Sequence, residues 1–238
     1  MLSRPLALKP KDAKPPAPGS PARGPVAWWK LDETTGANAA DASGHHHPAR
    51  IQGPAKWAPG NGQAGGAVEL DGARSFLDCG DEAEFDFRDG LTVSLWVKPQ
   101  ARPAKGSQTL VAKGNDTWSL ETTGKDGKLV FSLSGPQSTG KDRKKGPRVM
   151  SRTVSDSTRW HHVVGTYDGQ RIALYVDGEL TESVTAAGPV AVNTEPVWLG
   201  NNSAARAGHF AGALDDVRLF SCGLTEQEIK ALYRGGGK

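Results

Sequence analysis

Apolar and polar positions alternate with a period of two along much of the chain beyond residue 25, most sharply from Arg159 to Leu180. Trp160, His162, Val164 and Thr166 share one face of a strand, and His161, Val163 and Tyr167 share the other. Asp168-Gly169 supplies the Asp-Gly pair of a tight hairpin turn that needs positive φ. Ile172, Leu174 and Val176 line one face of the next strand, and Asp177-Gly178 closes a second turn. Large apolar groups occupy both faces. That predicts a sheet covered on both sides within a two-layer sandwich, rather than a sheet with one wet face.

The same alternation predicts strands at Val26 to Leu31, Ser75 to Asp78, Leu91 to Lys98, Trp118 to Thr122, Lys128 to Ser134, Val149 to Val154 and Pro196 to Gly200. A brief strand is also expected at Val190 to Val192. The last strand runs from Phe210 to Phe220, with Val217 and Leu219 facing one way and Leu214, Asp216, Arg218 and Phe220 the other. Then the period changes. Thr225 and Glu228 form a capping box, Leu224 is placed to staple onto Ile229, and the helix stops at Gly235. One short helix after many strands predicts an all-β class. Residues 1–25, rich in proline and lysine, predict a disordered linker following another module or an anchor. Residues 26–234 then form one domain and 235–238 a flexible tail.

Glycine is abundant, at 30 of 238 residues, as many short strands joined by turns require. The 29 basic and 26 acidic residues nearly balance, which argues against a nucleic-acid partner. No apolar run is long enough for a transmembrane segment. Leu2 to Leu8 is too short for a signal peptide, so this stretch leaves a cytoplasmic chain and a segment of an exported protein both open. Cys79 and Cys222 lack metal-ligand spacing. They form either a disulfide tying an early strand to the end of the last one, or two free buried thiols.

Several segments, in order, resemble the laminin G-like, concanavalin A-like lectin/glucanase jelly rolls, in their bacterial branch. They are Ala27 to Glu33, Asp41 to Gly44, Val68 to Gly72, Leu91 to Pro99, Trp160 to Gly169, Leu174 to Gly178, Gly212 to Phe220 and the Leu224 to Tyr233 helix. The resemblance implies an all-β, two-sheet antiparallel jelly-roll sandwich whose termini meet near one edge, with a short C-terminal helix. It also implies a noncatalytic binding or adhesion module for a glycan or extracellular protein, an accessory domain of a larger exported or envelope protein. A structural domain without a small ligand and a glycoside hydrolase are the alternatives.

Asp32, Asp41, Asp215 and Asp216 are the candidate metal ligands. Calcium takes about six to eight oxygens, and here distant segments must supply them. The resemblance implies one structural calcium, with Asp32 brought near Asp215-Asp216 by adjacent first and last strands. Turn carboxylates and an Asp216–arginine pair are the competing assignment. His45, His46 and His47 suit a solvated loop better than zinc. Glu82, Glu84 and Asp86 alternate as glucanase acids do, yet their spacing departs from that pattern and they precede a strand rather than occupy one. Trp28, Trp29, Trp96, Trp160 and Trp198 fall mostly at core positions. Trp57 and Trp118 remain as candidate sugar platforms, and Lys144 and Lys145 in the basic 135–148 loop as candidate contacts to an acidic ligand.

Overall fold

The computed structural model describes residues 23–100, 106–124, 126–138, 146–154, 159–205 and 208–235. Among the described residues, seventeen strands precede one helix, with a single 3-10 turn at Ala83–Phe85. In chain order they are β1 Ala27–Trp29, β2 Asn38–Ala39, β3 Ala49–Gln52, β4 Lys56–Trp57, β5 Val68–Asp71 and β6 Phe76–Asp78. Then follow β7 Leu91–Pro99, β8 Ser107–Lys113, β9 Trp118–Thr123, β10 Lys128–Leu133, β11 Gln137–Ser138 and β12 Arg148–Val154. The rest are β13 His161–Tyr167, β14 Arg171–Val176, β15 Glu179–Ala187, β16 Val197–Leu199 and β17 Ala211–Phe220, before helix α1 at Glu226–Gly235.

Two antiparallel sheets form the sandwich. One has nine strands in the order β11-β15-β14-β13-β7-β17-β5-β4, with β1 also paired to β17. The other has eight, in the order β12-β10-β9-β8-β16-β6-β3-β2. The first and last strands are neighbours, Trp28 standing opposite Arg218. This is the expected all-β jelly roll. No strand forms at Val190 to Val192; Val190 is buried, and its N–H donates to the Arg88 carbonyl.

Alternation explains the packing of the Arg159 to Leu180 meander. Val163, Tyr167, Ile172, Leu174 and Val176 enter the main core between the sheets. Val164, Ala173 and Tyr175 point the other way and pack under α1 against Ile229 and Leu232. The nine-stranded sheet is therefore covered on both faces in this region. Gly165 is needed for close approach of the sheets: a Cβ there would lie 2.4 Å from the Phe131 ring.

α1 starts as its sequence predicts. The Thr225 N–H donates to Glu228 Oε2 at 2.8 Å, and the Glu228 N–H donates back to Thr225 Oγ1 at 3.3 Å. Leu224 and Ile229 are both buried beside that turn.

β17 departs from strict period two. Its pairing with β7 shifts between Asp215 and Arg218, and Asp216 sits at φ 50°. The extra residue makes a β-bulge. Leu214, Val217 and Leu219 thus all face the main core, where simple alternation places Leu214 opposite the other two. The bulge also gives the adjacent Asp215 and Asp216 different surroundings.

The disulfide alternative is corrected: both cysteines are free. Cys79 lies in the core between the sheets, while Cys222 packs with the α1 cluster on the outside of the nine-stranded sheet. A sheet separates the two environments.

Candidate functional site

The outer face of the eight-stranded sheet carries an aromatic pair beside polar side chains. Val197 and Leu199 of β16 enter the core, so Trp198 between them faces outward. Phe76 flanks the core residue Leu77 in the same way on β6. The two outward rings pack with centroids 4.1 Å apart and planes 31° apart. Strand register sets what lies beside them. One row crosses the sheet as Arg50, Asp78, Trp198, Ala112, Ser119, Ser132 and Arg148. Small side chains at Ala112, Ser119 and Ser132 thus leave a low floor next to the tryptophan.

A cavity of about 290 Å³ opens at the aromatic pair, walled by Ala73, Arg74, Asn201 and His209. Trp198 Nε1, Asn201 Oδ1 and His209 Nδ1 are shielded from water, and no hydrogen-bond partner meets them among the described residues. Asn201 is 2 % exposed. Unpaired buried polar atoms are costly unless a ligand or water completes them. An aromatic surface beside polar side chains can stack an apolar sugar face. Trp160 borders a different cavity, of about 470 Å³, with Glu69, Lys98 and Gln100, outside the nine-stranded sheet.

The sequence groups Trp198 with the core tryptophans, but it is half-buried on this outer face. The alternation of Val197, Trp198 and Leu199 carried the signal. Which face is the core could not be known until Val197 and Leu199 were placed. Trp29 and Trp96 are buried as expected, whereas Trp28 and Trp160 are half-buried.

Of the two candidate platforms, Trp118 is buried and Trp57 is half-buried. Trp118 is 2 % exposed, set in the main core beside Phe87. Trp57 packs against the core edge and already donates its indole N–H to the Gly36 carbonyl at 2.8 Å. Lys144 and Lys145 lie outside the described residues.

The four candidate metal ligands divide into two pairs. Asp41 is a turn carboxylate: it accepts from the Trp28, Ser43 and His47 N–H groups and from the Ser43 hydroxyl. Asp216 accepts from the Arg218 guanidinium at 2.9 Å and from the Trp28 indole. Asp32 and Asp215 instead meet the glycine-rich 62–66 loop. The Gly66 N–H donates to Asp32 Oδ1 at 2.6 Å, and the Ala64 N–H to Asp215 Oδ2 at 2.9 Å. A Cβ on Gly65 would lie 2.3 Å from Asp32 Oδ1, so the loop can wrap this closely only with glycine there.

Asp215 is fully buried, and its Oδ1 has no hydrogen-bond partner among the described residues. Burial above all raises its pKa to about 7. The Asp216 and Asp32 charges push the same way, while the Ala64 and Gln63 N–H groups oppose them. Among the described residues, no group of three or more His, Cys, Asp or Glu side chains is placed to hold a metal ion. An orphaned oxygen on Asp215, with Asp32 nearby, fits a cation completed by carbonyls or water. The occupied oxygens of Asp41 and Asp216 do not.

Glu82 and Glu84 are exposed on the 3-10 turn, off both sheets. Asp86 faces a buried lysine instead, at 3.6 Å from Lys113 Nζ. The three acids therefore do not line one strand face. His47 is buried against Phe85, and its carbonyl accepts the Trp29 indole N–H. His162 lies under α1, with Nε2 2.9 Å from Ser94 Oγ and its ring clustered with those of Trp96 and Tyr233. Among the described residues, no helix is long and apolar enough to cross a membrane.

Solved structures with this fold include binding domains. The binding domain of Paraclostridial Mosquitocidal Protein 1 superposes with a TM-score of 0.70 at 16 % identity, over 89 % of this chain and 52 % of that one. The binding domain of botulinum neurotoxin serotype D/C gives 0.68 at 15 %, over 90 % and 52 %. The chain thus spans about half the length of these toxin domains. Domain 4 of AbnA, a GH43 extracellular arabinanase from Geobacillus stearothermophilus, gives 0.66 at 21 %, over 88 % and 98 %. No curated protein matches the sequence. The Laminin_G_3 family model, described as the concanavalin A-like lectin/glucanases superfamily, matches residues 71–230. Matched over more than half its length, the chain belongs to that family.

Proposed function

We propose that this chain is a noncatalytic module that binds a neutral oligosaccharide on the outer face of its eight-stranded sheet. It serves as an accessory domain of a larger exported or envelope protein. The observation that carries this is the Phe76–Trp198 pair beside the unpartnered Trp198 Nε1, Asn201 Oδ1 and His209 Nδ1. Stacking supplies affinity, and the polar side chains of the cavity wall supply orientation. Domain 4 of AbnA was solved in complex with arabinotriose, and this chain covers 98 % of that domain, which supports an oligosaccharide as the ligand class. Domain 4 of AbnA belongs to an extracellular arabinanase, which supports a location outside the cytoplasm.

Asp32 and Asp215 are proposed to hold one structural calcium, which would neutralise a buried carboxylate and fix the 62–66 loop to β17. Calcium here is a brace and takes no part in sugar contact.

A glycan array of neutral oligosaccharides, arabinotriose among them, tests the binding proposal. Saturable binding that Trp198→Ala removes is expected. Binding unaffected by Trp198→Ala, or none to any glycan, would refute it.

A further inference from the structure

Resting on the glycan proposal above, we infer that the site has a second, polar subsite and takes a neutral chain of at least two sugar residues. A cavity of about 560 Å³ adjoins the one at the aromatic pair. His209 lines both, and consecutive Gly72 and Ala73 line one each. The two differ in character. At one end are Phe76 and Trp198. At the other are Gln108, Thr109 and Glu121 from adjacent β8 and β9, with Glu121 in register opposite Thr109.

Not every polar group there is available. Asn202 spends its amide nitrogen on Asn115 Oδ1 at 2.8 Å and its oxygen on the Ala204 N–H at 3.0 Å, so it braces the wall. Gln108 stands opposite the buried Thr122 and turns to the inner side of the sheet, whereas Thr109 and Glu121, opposite one another, face the cavity with their side chains. Thr109 and Glu121 can meet hydroxyls of a residue next to the stacked one, with His209 at the junction. Among the described residues the polar cavity is lined by no lysine or arginine, and Glu121 is its one carboxylate. Glu121 disfavours a sugar carboxylate placed against it.

Isothermal titration of the full chain with arabino-, xylo- and gluco-oligosaccharides of one to four residues, and with trigalacturonate, tests this. In the series that binds, affinity should rise about tenfold from one residue to two, as one or two added hydrogen bonds supply. The Glu121→Ala/Thr109→Val double variant should bring the disaccharide back to the monosaccharide's affinity and leave the monosaccharide unchanged. Trp198→Ala should weaken both. Equal affinity for one residue and for longer chains overturns the second subsite alone, as does trigalacturonate binding as tightly as the neutral series. No binding in any series overturns the glycan proposal with it.

Discussion

The backbone N–H of Ala64 donates to Asp215 Oδ2 at 2.9 Å, joining residues 151 positions apart. This bond ties a glycine-rich loop to the bulge of the last strand, at a carboxylate that burial raises to about 7. An unfolded aspartate titrates near 3.8. Between those values the native state holds the extra proton, so this group's contribution to stability falls as pH rises through the window. Without calcium, Asp215→Asn should match the wild type near pH 4 and exceed it in melting temperature at pH 8. Calcium should raise the wild-type melting temperature at pH 8 and leave the variant's unchanged. Thermal melts with calcium and with chelator check both. A calcium shift retained in the variant would contradict the assignment.

His162 has the opposite slope. Burial chiefly, then the Arg218 charge, lowers its pKa to about 3 from the usual 6.5. The unfolded chain takes up the proton first, so stability falls as pH drops through that window. The two groups oppose one another over nearly the same range. Replacing one exposes the other: the His162→Gln variant should lose stability more steeply than the wild type as pH rises from 4 to 7. Melting curves across that range measure the difference, and parallel profiles for variant and wild type would contradict it.

Lys113 is fully buried and paired to Asp81 and Asp86, each roughly a third exposed, with the Glu195 carbonyl at 2.9 Å. The burden of desolvation therefore falls on the lysine. Asp81→Ala/Asp86→Ala strands a buried ammonium and should cost about 3–5 kcal/mol. Lys113→Met removes the buried charge and leaves acids that water can reach, so it should cost less. Urea denaturation of both variants decides the order. A larger loss for Lys113→Met would mean that packing rather than charge dominates this site.

Much of this architecture was legible in the sequence because its signals are local. Asp-Gly pairs marked hairpins, alternation marked strands, and the Thr225–Glu228 capping box marked the helix start. The bulge at Asp215–Asp216 was not legible, because period two has no way to announce an inserted residue. It reversed the expected side of Leu214 and separated the environments of two adjacent aspartates. The aromatic site was legible only in part. Alternation set Trp198 apart from Val197 and Leu199, but pairing with Phe76, Asn201 and His209 depends on strand order. Trp118 looked available for a ligand because nothing local recorded that Phe87 and the opposite sheet cover it.

Binding at Trp198 is tested most directly by a titration followed by the indole N–H signals in a ¹H–¹⁵N spectrum, with arabinotriose as probe. A saturable shift of the Trp198 signal is expected, with the buried Trp29 and Trp118 signals unmoved. A saturable shift centred on Trp160, with Trp198 still, would place binding on the other sheet and contradict it.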